Sequence, residues 1–303
     1  MTDLVLLFVN NLLPILLIAG LGYLSGKHLQ VEARTLSRLV FYILSPCLLF
    51  DLLVSSQLSN GDMLRMVGFA SSIVLSVALV TFALGKLMKL SRTMLAAVVL
   101  TTMSMNAGNF GLSLNLFAFG EEGMAQASIF FVTTAIFTYT LGVAVASLGR
   151  AGLKESFLKL LKVPSIYAVL IALVIMKLDW ALPLPVERTT TLLGDACIPA
   201  MLLLLGVQLQ RNHRDHNVPA LILANGMRLV GGATLALILA SVFKLQGVAL
   251  QAGVVEAATP TAVLSTVLAT EFNTEPTFVT TVVFTTTVLS PLTLTPLLAY
   301  LGA

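Results

Sequence analysis

The sequence predicts an all-α polytopic membrane protein with ten transmembrane helices, arranged as two inverted five-helix repeats. Three observations support this fold class. The 303 residues are 57% hydrophobic and only 10% charged, a composition typical of membrane proteins rather than of soluble domains. Apolar stretches of membrane-spanning length follow one another with short loops between them. The second half of the chain also repeats features of the first half.

Apolar runs bounded by charged or turn residues define the ten predicted helices. They cover residues 5–24, 37–54, 65–85, 94–119, 123–147, 164–182, 189–208, 218–242, 247–270 and 277–299. A helix of about 20 apolar residues crosses the hydrocarbon core of a bilayer, so runs of this length are suited to span it. The remaining residues form short loops, which leave no room for a soluble nucleotide-binding or catalytic domain.

Basic residues concentrate in every second loop. The loops after spans one, three, five and seven hold Lys27, Arg34, Arg38, Lys86, Lys89, Arg92, Arg150, Lys154, Lys159, Lys162, Arg211 and Arg214. The intervening loops hold only Arg65, Lys177, Arg188 and Lys244. Cytoplasmic loops of membrane proteins carry an excess of Lys and Arg, so this alternation predicts that both termini lie outside. Because the cations are spread over loops rather than gathered in one patch, we expect no nucleic-acid partner.

An internal repeat relates residues 1–150 to residues 151–303. The segment FVTTAIFTYT at 131–140 matches FVTTVVFTTT at 278–287. Proline and asparagine positions also correspond in order, as Pro14 with Pro164, Pro46 with Pro199 and Asn109 with Pro260. Five spans are an odd number, so the second copy enters the membrane from the opposite side. Inverted repeats of this kind recur in membrane proteins whose ligand sites lie at the bilayer midplane.

The fourth predicted span is interrupted at its centre by the sequence MNAGNFGLS, residues 105–113. Irregular backbone at that depth must be buried in protein or line a wet cavity. We expect the helix to break within this segment, with ligand or ion contact by at least one of Asn106 and Asn109. The alternative is that these two amides only form hydrogen bonds between helices, which is a common packing device in membranes.

The ninth predicted span contains Pro260 between Thr259 and Thr261. Proline lacks an N–H and clashes with the carbonyl four residues earlier, here that of Glu256, so the helix should kink or open. Opened helix ends carry opposite partial charges, suited to a cation at one end and an anion at the other. Two such helices crossing would form a compact site. The alternative is that Pro260 is only a packed kink.

Few ionisable residues lie inside the predicted spans. Those that bear on a possible site are Asp51, Asp195, Arg228 and Glu256. Arg228 and Glu256 fall near the midplane, where a lone charge costs at least about 3 kcal/mol, so each should pair with the other, a substrate or an ion. Glu256 is then a candidate for proton or cation coupling and Arg228 for an anionic substrate, against the alternative of a static bridge. Asp195 is a second coupling candidate, and Asp51 is interpreted as structural.

Motifs of catalysis and metal binding are not found in the sequence. It lacks a nucleophile–base pair, a phosphate-binding loop and metal-ligand spacing around His28, His213 and His216. We therefore predict that the protein is not an enzyme and has no metal site. The only cofactor role left open is coupling to sodium or protons.

The chain resembles the auxin efflux carrier family, within the wider bile-acid/sodium symporter-like group. The resemblance is carried by NAGNFGL at 106–112, YILSP at 42–46, CIPAMLLLLG at 197–206 and Pro260. It implies a scaffold of helices 1, 2, 6 and 7 and a transport part of helices 3, 4, 5, 8, 9 and 10, with helices 4 and 9 crossing as broken helices beside the substrate. A homodimer is usual in the family. Ser113 stands where members often have proline, hence the expected opening through Gly108 and Gly111.

The resemblance also implies a secondary active carrier of a small organic anion, such as malonate, malate or lactate, in a bacterial cytoplasmic membrane. The residues predicted to contact substrate are Asn106, Asn109, Gly111, Thr259, Pro260, Thr261 and Arg228, and those predicted to couple an ion are Glu256 and Asp195. Two alternatives stay open: an efflux carrier for auxin-like or other weak acids without direct ion coupling, and a membrane sensor that binds a metabolite without moving it.

Overall fold

A computed structural model describes residues 2–55, 60–147, 164–178, 180–210 and 217–303. Over these ranges the chain is helical, with no strand beyond one isolated bridge between Met105 and Thr261. The helices are α1 (Asp3–His28), α2 (Ala33–Ser55), α3 (Gly61–Leu87), α4 (Arg92–Met103), α5 (107–119), α6 (121–146), α7 (Pro164–Leu178), α8 (Leu184–Leu209), α9 (Val218–Val242), α10 (Gly247–Ala258), α11 (Leu264–Glu271) and α12 (Pro276–Leu301). The prediction of an all-α membrane protein is confirmed.

Within the described ranges, seven helical stretches are long and apolar enough to cross a membrane: α1, α2, α3, the run from α5 to α6, α8, α9 and α12. Helices α5 and α6 are separated only by Gly120, whose backbone is non-helical with φ of 67°. Helices α4, α7 and α10 are apolar but shorter. The predicted fourth span is thus divided into α4 and α5, and the predicted ninth span into α10 and α11.

Large apolar side chains cover the outside of the helix assembly. Leu79 is 69% exposed and Leu292 is 73% exposed, although both lie in the middle of long helices. In water such a surface would drive aggregation, whereas in a bilayer it contacts lipid tails at no cost. The interior is filled by side chains such as Phe69, Phe110 and Phe130, which are fully buried.

The charge pattern used for topology is described only in part. The basic residues at 150–162 and 211–214, with His213 and His216, lie outside the described residues. The described cations of the same predicted side lie at the ends of α1 and α3 and near the starts of α2 and α4. The orientation of the termini therefore stays a prediction.

Candidate functional site

Two extended segments pair with each other where the divided spans meet. The backbone N–H of Asn106 donates to the Pro260 carbonyl at 2.9 Å, and the N–H of Ala262 donates to the Ser104 carbonyl at 2.8 Å. Met105 and Thr261 lie opposite each other in this antiparallel pairing. Each break therefore supplies backbone partners for the other, which is how irregular backbone is tolerated in the protein interior.

Pro260 determines where α10 ends. Because proline has no N–H, the Glu256 carbonyl loses its usual helical donor. The N–H and hydroxyl of Thr259 donate to that carbonyl instead, at 3.3 Å and 2.7 Å. The hydroxyl of Thr261 then reaches across to the Thr101 carbonyl of α4 at 3.1 Å. These threonines and Pro260 are buried and hold the crossing together.

The first break does not lie where the glycines predicted it. Helix α4 ends at Met103, residues 104–106 are not helical, and the helix resumes at Ala107 in a wide π-helical turn that runs to Leu112. The expected opening through Gly108 and Gly111 is wrong, because pairing with residues 260–262 stabilises an extended segment just before them.

Both glycines instead permit close packing. A Cβ on Gly111 would lie 2.2 Å from Glu256 Oε2, and one on Gly108 would lie 2.8 Å from the Phe131 ring. Each distance is shorter than a van der Waals contact allows. Gly111 is thus required because a carboxylate lies directly against its Cα.

Glu256 is fully buried and bonds to a residue that the sequence did not single out. Its Oε1 accepts a hydrogen bond from Asn115 Nδ2 at 3.1 Å, and the same Nδ2 donates to the Gly111 carbonyl at 3.0 Å. Among the described residues, Glu256 Oε2 and Asn115 Oδ1 have no hydrogen-bond partner. The position of Asn115, one helical turn after Gly111, was the available indication that it shares that face.

Arg228 is fully buried and lies between α4 and α10. Its Nη1 donates to the Thr102 carbonyl at 2.6 Å, and its Nη2 donates to the Ala257 carbonyl. Arg228 and Glu256 are not joined by an ion pair within 4.0 Å, so the two described side chains do not form a static bridge. The guanidinium faces helix ends rather than a carboxylate.

A cavity of about 160 Å³ lies beside the paired breaks. One wall comes from Asn106, Asn109, α6 and the start of α11, and the other from α2, α7 and α8. Asn106 is 4% exposed, and its Nδ2 has no partner within the described structure. Glu256, Arg228, Asp195 and the three break residues 259–261 are not among the residues lining this cavity.

The positive ends of two helices adjoin the same cavity. Gly108 and Asn109 in the first turn of α5 line it, as do Val263 and Leu264 at the start of α11. Helix N-termini present free N–H groups and a partial positive charge of about half a unit, which favours an anion. Together with the unpartnered Asn106 amide, they make the cavity suited to a small anion.

A wider cavity of about 720 Å³ adjoins the first. The two share the lining residues Ser37, Gln208, Val263 and Val267, so they are separated by no more than these side chains. Arg34 and Arg38 of α2 line the wider cavity, and no described acidic side chain lines it. We call it the arginine vestibule. It lies next to the site, where α2 and α12 begin, and its lining includes two positively charged side chains.

The Thr-rich segment of α6 forms a wall of the site that sequence reasoning missed. Phe131, Thr134, Thr138 and Tyr139 line the cavity, and the Tyr139 ring lies 6.0 Å from that of Phe41 on α2. Phe131, Thr134 and Thr138 are three and four residues apart and so share one helix face, and Tyr139 follows Thr138 directly; this spacing was the available sequence pattern. The hydroxyls of Thr134 and Thr138 bond back to carbonyls of their own helix, which is the usual behaviour of threonine in a membrane helix.

The two aspartates lie apart from the crossing. Asp195 is exposed, at the bend within α8. Asp51 on α2 accepts a hydrogen bond from the Thr191 hydroxyl at 2.7 Å, which ties α2 to α8 and agrees with a structural role.

Comparisons of the sequence with known proteins show which class of protein the chain belongs to. The model of a family described as membrane transport protein matches residues 7–298. An uncharacterized transporter of Methanocaldococcus jannaschii is 26% identical over 294 residues, covering 93% of this chain and 95% of the relative. Another, from Methanothermobacter thermautotrophicus, is 25% identical over 286 residues, covering 93% of this chain and 94% of the relative.

The fold and these matches define a membrane transporter. The chain belongs to the auxin efflux carrier family, so the resemblance inferred from its motifs is confirmed.

Proposed function

We propose that the protein is a secondary active carrier of a small organic anion, in particular a carboxylate. The observation that carries this proposal is the cavity between the N-termini of α5 and α11, which is lined by Asn106, a buried amide whose Nδ2 has no hydrogen-bond partner among the described residues. Free N–H groups and an amide donor match the acceptor oxygens of a carboxylate. Asn106 and Asn109 are the proposed contacts, while Gly111, Thr259, Pro260 and Thr261 fix the backbone that positions them.

The proposed architecture is ten transmembrane helices in two inverted repeats, residues 1–150 and 151–303. In this scheme α4 with α5 is the fourth span and α10 with α11 is the ninth, and they cross at the Met105–Thr261 bridge. The cavity walls support this division, because α2, α7 and α8 would belong to the scaffold and the opposite wall to the transport part. Movement of one part against the other would expose the site to alternate sides.

The proposed location is a bacterial cytoplasmic membrane, with both termini outside and a homodimer as the assembly. The arginine vestibule then opens to the cytoplasm, since α2 begins in a loop predicted to be inside. Glu256 and Asp195 stay candidates for ion coupling. Glu256 is the stronger of the two, because its buried Oε2 is unpartnered beside Gly111 whereas Asp195 is exposed.

A second candidate function is efflux of aromatic weak acids of the auxin type. Phe41, Phe131 and Tyr139 give the cavity an apolar, aromatic wall suited to a ring attached to a carboxylate. This candidate uses the same anion contacts and differs only in what fills the rest of the cavity.

Thermal unfolding of the purified protein with a panel of carboxylates tests both candidates. A ligand that binds only the folded state raises the apparent stability by RT ln(1 + [L]/Kd). We expect a small aliphatic carboxylate to raise the unfolding temperature; a shift with indole-type acids alone would favour the second candidate. Any ligand found is then tested for uptake into proteoliposomes.

The matched variants are Asn106→Ala and Asn11→Ala. Losing a hydrogen bond to a charged group costs about 1.5–3 kcal/mol, so Asn106→Ala should weaken binding roughly 10- to 100-fold. Asn11 is also a buried amide, but it bonds to the Leu7 carbonyl within α1 and does not line the cavity, so its variant should bind normally. Equal affinity of both variants would contradict the proposed site.

A further inference from the structure

Arg228 has the position that a bound cation would take at the crossing. We propose that its guanidinium is a built-in cation for the carboxyl ends of α4 and α10, so that the crossing needs no bound metal cation. This goes beyond the proposed function. Only its consequence for coupling, transport that does not depend on a sodium gradient, rests on that function.

The contacts of Arg228 are directed to the negative ends of both interrupted helices. Nη1 bonds to the carbonyl of Thr102, one residue before the end of α4, and Nη2 to the carbonyl of Ala257, one residue before the end of α10. Terminal carbonyls of a helix carry a partial negative charge and lack helical donors. A planar guanidinium supplies two divergent donors and a permanent charge, so one side chain satisfies both ends.

The sequence around Arg228 provides the space for this arrangement. Arg228 lies in a π-helical turn, Met227–Gly231, and Gly232 follows one turn after it. A Cβ on Gly232 would lie 2.6 Å from the Ala257 carbonyl oxygen and 2.7 Å from Arg228 Nη2. Glycine at 232 is therefore what lets the guanidinium pass between α9 and α10.

The charges at the crossing also balance without a metal ion. Among the described residues, the buried side chains of the Asp, Glu, Lys and Arg types are those of Arg228 and Glu256, which are of opposite sign. Glu256 accepts a hydrogen bond from Asn115 and is not paired with Arg228. The guanidinium instead contacts the carboxyl ends of α4 and α10. An ionised Glu256 is offset by Arg228, so these two buried side chains leave no net negative charge at the crossing for sodium to neutralise.

The first test compares wild-type protein in sodium chloride and in choline chloride of equal ionic strength. We expect the thermal unfolding temperature to be the same in both salts, because the cation position is already filled. A saturable stabilisation of the wild type by low-millimolar sodium would overturn the inference. This measurement needs no variant and no substrate.

The second test removes the guanidinium. Arg228→Ala should lower the unfolding temperature by several degrees, and low-millimolar guanidinium or sodium should restore part of that loss, whereas choline should not. Arg228→Lys keeps a cation and is expected to lose less stability than Arg228→Ala. Gly232→Ala, which displaces the guanidinium without removing it, should also lower the unfolding temperature. This variant replaces Arg228→Ala in the test if Arg228→Ala does not fold.

The control is Gly226→Ala on the same helix, where an added Cβ has nothing within 4 Å. Arg228→Ala or Gly232→Ala as stable as this control, or an equal response of the control to guanidinium, would overturn the inference. Because these readouts involve no carboxylate, failure to find an anionic substrate would count against the proposed function alone.

Discussion

At the scale of single residues, the crossing depends on glycines, whose lack of a Cβ lets other groups lie directly against the helix backbone. Gly111 is the clearest case, since the carboxylate of Glu256 lies where its Cβ would be. Gly111 therefore leaves the space that Glu256 occupies, and the hydrogen bonds of Asn115 to the Gly111 carbonyl and to Glu256 link α5 to α10.

We expect Gly111→Ala to destabilise the protein by about 1–3 kcal/mol, the usual cost of adding a methyl group to a filled interior. The physical reason is the contact of 2.2 Å that the methyl carbon would make with Glu256 Oε2. Thermal or denaturant unfolding measures the change. Gly226→Ala adds the same methyl group in open space on α9, so unfolding at the same temperature in both variants would contradict the assigned contact.

The residues that sequence reasoning did not place correctly are those whose partners lie far along the chain. Asn115 meets Glu256 across 141 positions, and Arg228 meets Thr102 across 126. Local patterns identified Arg228 and Glu256 as buried charges, because a charge within an apolar run is visible in the sequence. Their partners depend on how helices pack, which no local pattern specifies.

At the scale of elements, the two breaks arise from different causes. Pro260 ends α10 through its own chemistry, so the second break could be located from the sequence alone. The end of α4 at Met103 comes from pairing with the second break, not from the nearby glycines. A break imposed by a partner segment leaves no local mark, which is why the expected position was wrong.

Replacing Pro260 with alanine tests the break between α10 and α11. Pro260→Ala supplies an N–H that can donate to the Glu256 carbonyl, in competition with Thr259, and so favours extension of α10 through the break. We expect substrate uptake in proteoliposomes to fall at least about 10-fold, since a change of 1.4 kcal/mol already has that effect.

Pro291→Ala is the matched control, because Pro291 lies inside the continuous helix α12 and not at a break. Its uptake should stay near that of the wild type. If Pro260→Ala also transported normally, the paired breaks would not be the functional centre, and the substrate would have to be sought elsewhere.

At the scale of the whole molecule, charge is distributed so that the arginine vestibule leads to the site. Arg34 and Arg38 line it without a described acidic neighbour on its wall. A cleft with charge of one sign raises the local concentration of oppositely charged ligands and speeds their entry, and salt screens this effect over roughly 8–10 Å.

We expect Arg34→Gln with Arg38→Gln to slow substrate entry from the vestibule side severalfold at low ionic strength. The difference from wild type should disappear as salt is raised, because screened charges no longer steer the anion. The rate of substrate entry is measured as the initial rate of uptake into proteoliposomes across a series of salt concentrations.

Lys27→Gln, at the end of α1 and outside the vestibule wall, changes the net charge without changing the vestibule. It should follow the wild type at every salt concentration. A double arginine variant with the same rate and salt dependence as Lys27→Gln would show that the vestibule does not guide the anion.

The pairing of the two breaks also bears on how related carriers diversify. It is made by main-chain N–H and carbonyl groups of residues 104–106 and 260–262, and these groups are the same whichever side chains the residues bear. Side chains that face the cavity, such as those of Asn109 and Tyr139, take no part in it. Substitutions of cavity-facing side chains can alter which molecule is bound while the main-chain pairing of the two breaks is preserved. A change of specificity therefore need not begin with a loss of folding.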